Sequence, residues 1–198
     1  VSGSQFKTVF NALPYNLKKS TRLDVLRFPT PVHRIDNQTS GLLLIAKTKT
    51  AQIELGKQFE NRTIQKKYCT IVVGKVLAND HIETPIENKR AETSFEIIKS
   101  VKSLKFNELS LLKVYPKTGR THQIRIHLSS ISHPILGDKL YGNPETIHKG
   151  KGLFLAASEI KFLHPKTFEL LTIKIDVPNK FHSLLNREKR RWNTYNVS

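Results

Sequence analysis

Apolar residues recur along this chain in two rhythms, and each rhythm predicts an element. Val9, Phe10, Leu13 and Leu17 fall at helical spacing, with Pro14 expected to end that helix early. Ala51, Leu55 and Phe59 repeat every four residues and predict a second helix. The continuous run Gly41 to Ala46 predicts a strand buried on both faces, since a polar turn precedes it and Lys47-Thr48-Lys49-Thr50 follows. Lys67 to Val73, rich in β-branched residues, reads as a strand, as do Thr93 to Val101, Phe106 to Tyr115, Leu153 to Ala157 and Leu170 to Val177. Lys18 to Pro31 reads as a basic loop. Pro116-Lys117-Thr118-Gly119 is a turn, after which Thr121 is placed to cap a helix with Ile124, Leu128 and Ile131 on its apolar face. His122, Arg125 and Ser129 share a different face of that helix. Phe181 to Trp192 reads as a basic amphipathic helix. Strands outnumber helices and do not alternate with them, which predicts an α+β fold: a mixed, mostly antiparallel sheet flanked by helices, not a doubly wound one.

Composition adds a partner to this picture. Thirty-three Lys and Arg against sixteen Asp and Glu give a formal charge of +17. A compact fold with that imbalance repels itself unless an anion binds, and nucleic acid is the leading candidate. The longest apolar runs are five residues, Leu42 to Ala46 and Leu153 to Ala157, where a bilayer span needs about twenty. The expectation is a soluble, cytoplasmic protein with no membrane contact, monomeric by default. At 198 residues with no internal repeat, and with nine Pro and nine Gly scattered rather than pooled, a single domain over 1–198 is expected. The chain begins at Val1 and holds no methionine, so the start of the natural protein is expected upstream. The lone Cys69 lies in an apolar strand and reads as a core residue.

Two polar segments sit against strongly apolar ones: His33 to Gly41, and Gly119 to Leu128. Read from the residues alone, the first is either a turn in which Asp36 or Thr39 bonds nearby amides, or a catalytic loop. A calcium loop starting at Asp36 fails, because Gln38 and Lys47 stand where ligands are required. In the second segment His122 and His127 are five residues apart, which puts them on different faces of a helix, so no metal site is expected. No Ser or Cys sits in a glycine-flanked nucleophile elbow, and no glycine-rich phosphate loop is present.

His33-Arg34-Ile35-Asp36 followed by Thr39-Ser40-Gly41-Leu42-Leu43-Leu44 resembles the signature of the RluA-type RNA pseudouridine synthases. Gly119 to Leu128, continued by Pro134-Ile135-Leu136-Gly137-Asp138 and Tyr141-Gly142, resembles the family's second signature, and Lys67-Tyr68 its third. The likeness runs in order from about Thr8 to Pro178, with Leu155-Ala156-Ala157 departing from a common His-Ala pair. The resemblance implies the family's catalytic fold with a central active-site cleft. It also implies isomerisation of specific uridines in folded RNA, ribosomal RNA before transfer RNA, without a cofactor. Asp36 is then the catalytic carboxylate, Arg125 its bidentate partner and Tyr68 the aromatic that stacks on the extruded uracil. Arg34 is the candidate for filling the gap left by the flipped base. His33, Lys67, Arg120, His122 and Gln123 join Arg34 as the expected RNA contacts. The competing expectation is a catalytically silent RNA-binding module of the same fold, acting in ribosome assembly.

Overall fold

A computed structural model describes residues 8–144, 147 and 150–195. Its elements in chain order are α1 (Val9–Asn16), β1 (Val25–Pro31), β2 (Ser40–Gly41), β3 (Ile45–Thr48), α2 (Lys49–Glu60), β4 (Gln65–Val73) and β5 (Asp80–Ile82). They continue with β6 (Thr93–Ser103), β7 (Asn107–Pro116), α3 (Gln123–Ser130), β8 (Leu155–Leu163), β9 (Leu170–Lys174) and α4 (Asn179–Tyr195). The fold is α+β, and the chain forms two compact units. The smaller holds the chain up to Ile35, Leu43–Ile64 and Lys161–Ile173; the larger holds Asp36–Leu42, Gln65–Ile160 and the chain from Lys174 onward.

In the smaller unit, Thr8 caps α1 by accepting the Asn11 N–H at 3.3 Å. Pro14 does not end this helix, which continues to Asn16. Only two residues follow the proline, so the missing N–H and ring clash fall in the last turn, where the helix is least constrained. β1 pairs antiparallel with β3, although its residues were expected to form a loop. Arg27 and the prolines Pro29 and Pro31 interrupt its alternation. Thr48 caps α2 through the Ala51 N–H at 3.2 Å, and Asp24 tethers the same end by accepting from the Thr50 N–H at 2.9 Å.

The expected buried strand from Gly41 to Ala46 is not one strand. It splits into the end of β2 and the start of β3, with Leu42 to Leu44 irregular, and only Ala46 is fully buried. The division between the units falls between Leu42 and Leu43. A run that serves two units in succession has the composition of a buried strand without its geometry.

The larger unit is built on a mixed sheet in the order β2-β8-β4-β7-β6-β5. β2 runs parallel to β8, whereas β4 with β7, β6 with β7 and β5 with β6 are antiparallel. Period-two alternation sends Cys69 and Ile71, Leu109 and Leu111, and Phe154 and Ala156 to one core with Phe181, Leu184 and Leu185 of α4. Val72, Leu112 and Val114, and Leu153 and Leu155 go to a second core with Ile124 and Leu128 of α3. Both faces of the central strands are thus covered, which is why they read as near-continuous apolar runs. Each fully buried aliphatic side chain contributes about 1.5–3 kcal/mol. On α4 the buried set Phe181, Leu184, Leu185 and Glu188 follows helical spacing. Glu188 is accommodated because the Ser103 hydroxyl donates to it at 2.6 Å.

Candidate active site

The segment carrying Asp36 is a tight turn, with the Thr39 N–H donating to the Asp36 carbonyl at 2.8 Å. The chain then hooks onto the sheet. Ser40 and Gly41 pair with Ala156 and Ala157, and the Leu42 N–H donates to the Ala157 carbonyl at 3.0 Å. Gly41 has φ +111°, and a Cβ there would stand 2.2 Å from the Ala157 carbonyl oxygen, so only glycine fits. This hook fixes the Asp36 carboxylate in the larger unit at 17% side-chain exposure.

The other half of the site comes from the start of α3. Thr121 does not cap this helix; the N-cap is His122, in the left-handed region at φ +54° with no side-chain capping bond. Gln123 secures the helix start instead. Its Oε1 accepts from the Thr118 hydroxyl at 2.6 Å and the Arg120 N–H at 3.0 Å, while Nε2 donates to the Glu92 carbonyl and Thr93 Oγ1 at 2.8 and 2.9 Å. Gln123 was expected to contact RNA. It is buried with its amide fully committed inside the protein, so that expectation is corrected: the residue is a brace.

Arg125 is also buried, and its bidentate carboxylate is Asp138, not Asp36. Nε and Nη2 each donate to Asp138 at 2.7 Å, whereas Nη1 stands 3.8 Å from Asp36 Oδ2. The physical reason is burial. At 2% exposure the guanidinium requires a partner equally removed from water, and Asp138 is fully buried where Asp36 is not. Burial alone would raise the Asp138 carboxyl, but the Arg125 hydrogen bonds and the N–H groups of Leu140 and Tyr141 outweigh it and hold the pKa below the usual carboxylate value. Bonding to Asp138 likewise raises the Arg125 pKa against the opposing effect of burial.

Three further side chains complete the cluster. His122 Nε2 lies 3.9 Å from Asp36 Oδ1, and its Nδ1 is 3.0 Å from the Tyr141 hydroxyl. The Tyr141 ring stands edge-on to His122 and 5.1 Å from the Arg125 guanidinium carbon. Tyr68 packs against the α3-side core, and its phenol is pushed up to about 12, by burial first and then by the Asp36 charge. Asp36, Arg125, Tyr68 and His122 are therefore brought together. Asp138 and Tyr141, absent from the expected site residues, belong with them. The signal for Asp138 was present: an arginine on a helix face beside buried Ile124 and Leu128 demands a carboxylate.

The remaining expected RNA contacts differ among themselves. Arg34 is exposed in the smaller unit. His33 is braced there: its Nε2 accepts from the Leu44 N–H at 3.0 Å and its ring stacks on Phe59 with centroids 4.7 Å apart. Lys67 is ion-paired with Glu159, which also has Lys174 at 3.5 Å. Its neighbour Lys66 donates to the Thr118 carbonyl at 3.2 Å, and burial lowers its pKa. Arg120 donates through Nε to the Arg90 carbonyl at 3.0 Å. Among the described residues no group of three His, Cys, Asp or Glu side chains is arranged to hold a metal ion, and no helix is long and apolar enough to cross a membrane.

Comparison with known proteins converges on one family. The model of a family described as RNA pseudouridylate synthase matches residues 5–130. An uncharacterized RNA pseudouridine synthase of Aquifex aeolicus is 36% identical over 199 aligned positions, covering 89% of this chain and 62% of its own length. Ribosomal large subunit pseudouridine synthase C of Buchnera aphidicola is 35% identical, covering 81% of this chain and 57% of its own. The chain therefore spans less than two thirds of either relative. The structure of human RNA pseudouridylate synthase domain containing 1 superposes with a TM-score of 0.66 at 23% identity, covering 75% of this chain and 69% of that one, a likeness of fold.

Proposed function

The chain belongs to the RNA pseudouridylate synthase family, and from that premise we propose that it isomerises specific uridines in folded RNA, ribosomal RNA first, with Asp36 as catalytic carboxylate. The observation that carries this reading is the placement of Asp36: a half-buried carboxylate between Arg125 Nη1 and His122 Nε2, with the Tyr68 phenol under its influence. A carboxylate so held has a cation to favour its charge and enough exposure to meet a substrate.

The reaction breaks the bond between N1 of uracil and the ribose carbon, rotates the base and joins C5 to the same carbon. C5 then loses a proton and N1 gains one, so atoms and electrons balance without an oxidant, a leaving group or a cofactor. Electron deficiency at the ribose carbon as the first bond breaks is what Asp36 meets, by electrostatic stabilisation or by attack. Tyr68 presents an uncharged ring for the uracil. The base reaches the site only if it leaves the RNA stack, and Arg34, exposed and two residues before Asp36, is the side chain proposed to take its place. The name of the Buchnera relative supports a large-subunit ribosomal substrate.

The test is Asp36→Asn, which keeps the shape and removes the charge. Pseudouridine formation on ribosomal RNA should be lost while RNA affinity stays within about tenfold, because phosphate contacts supply most of the binding. An active Asp36→Asn variant would refute the assignment. A wild-type protein that binds RNA yet makes no pseudouridine would favour the silent binding module.

A further inference from the structure

Asp138 and Tyr141 each govern one of the two groups that flank Asp36. Asp138 occupies the Nε and Nη2 edge of Arg125, which leaves Nη1 as the guanidinium nitrogen facing Asp36. Its Oδ1 also accepts the N–H groups of Leu140 and Tyr141, at 2.9 and 3.2 Å, and so folds the chain into a turn that returns Tyr141 to α3. There the Ser129 hydroxyl donates to the Tyr141 carbonyl at 2.6 Å. Main chain and ring are thereby fixed, and the Tyr141 hydroxyl is aimed at His122 Nδ1.

The consequence for His122 follows from hydrogen-bond chemistry. Nε2 faces Asp36 at 3.9 Å, and a carboxylate only accepts, so of the two neutral tautomers the one with its proton on Nε2 suits this neighbour. Nδ1 is then an acceptor, and the Tyr141 hydroxyl is the donor that matches it. The left-handed backbone of His122 and the absence of a capping bond leave the ring free to take this orientation.

We propose that the Asp138–Tyr141 turn is a positioning element for Asp36: Asp138 orients Arg125, and Tyr141 fixes the tautomer in which His122 presents an Nε2–H to the carboxylate. This rests on the reading of Asp36 as catalytic, deepens it by naming Tyr141 and Asp138 as positioning residues, and adds a readout that requires no turnover.

The readout is the nitrogen NMR spectrum of imidazole-labelled protein, with His122 assigned by its loss in His122→Gln. Wild type should show His122 protonated on Nε2. Tyr141→Phe keeps the ring, the Ser129 bond and both main-chain bonds to Asp138, so it folds; there His122 should become a mixture of tautomers. Single-turnover modification by Tyr141→Phe should slow about tenfold with RNA affinity unchanged, the signature of lost orientation at the reacting centre. His122→Gln, whose amide keeps a donor, should retain more activity than His122→Ala. An Nδ1–H tautomer in wild type, or a spectrum indifferent to Tyr141→Phe, overturns the proposal. So does the expected spectrum with unaltered turnover. An active Asp36→Asn variant instead defeats the underlying reading while the tautomer stands measured on its own.

Discussion

Two histidines stand at helix α3, His122 as its N-cap and His127 within it, and they live in opposite circumstances. His127 is fully buried, with Nδ1 and Nε2 each 2.9 Å from an oxygen, Thr93 Oγ1 and the Thr84 carbonyl. Thr93 in turn accepts from Gln123, so this side of α3 is a closed network in which each polar group has a partner at ordinary hydrogen-bond length. His122 is 25% exposed, and its distance to Asp36 is well beyond a hydrogen bond. Arg125 stands between the two regimes, tight to Asp138 and loose to Asp36. The lesson is one of slack. The groups that hold the helix are saturated, whereas His122 and Arg125 Nη1 stand beyond hydrogen-bond length from Asp36.

Arg125→Met is the most severe way to test that division, since it leaves Asp138 as a buried charge with two main-chain N–H groups but no cation. Stability should fall by about 3–5 kcal/mol, measured from urea unfolding midpoints, with modification lost in whatever folds. An unchanged midpoint would mean that the pair with Asp138 is not a closed unit. Gln123→Leu attacks the saturated side alone. It strands donors and acceptors at Thr118, Arg120, Glu92 and Thr93, and a loss of about 2–3 kcal/mol is expected. Turnover per folded molecule should remain within about threefold, as for a residue outside the reacting centre. A large fall in turnover at unchanged stability would erase the distinction between the two sides.

The smallest expected effect is a dependence on pH. Desolvation lowers the His127 pKa below its ordinary 6.5. The unfolded chain therefore takes up the proton first as pH falls, so stability is full above about 6.5 and declines beneath it by at most about 1.4 kcal/mol per pH unit for this one group. Comparing unfolding midpoints at pH 7.5 and 5.5 in wild type and His127→Asn isolates the contribution. A slope unaltered by the substitution would show that His127 tolerates its proton in the fold.

What could be read from the sequence divides along similar lines. The central strands, α2, the apolar face of α3 and the basic helix α4 follow directly from periodicity, because burial on a face imposes it. β1 was hidden because prolines and a charge interrupt its alternation, and the run Gly41 to Ala46 misled because two units share it. In the site, the resemblance brought Asp36, Arg125 and Tyr68 to one place. It placed the bidentate contact of Arg125 on Asp36 when Asp138 takes it and Asp36 stands 3.8 Å away, since sequence does not say which of two acids is the more deeply buried. Gln123 and Lys67 look like surface contacts in a basic chain, and only the structure reveals the oxygens already bound to them.

The short hook after the Asp36 turn bears on how such a protein can diverge. It is fastened mainly by main-chain bonds to Ala156 and Ala157, and backbone is indifferent to which side chains adorn the turn. Asn37 and Gln38 stand exposed at its corner, so their identities are at liberty to drift, or to be selected for a new RNA, while the carboxylate keeps its address. Gly41 is the one letter of this stretch with no synonym.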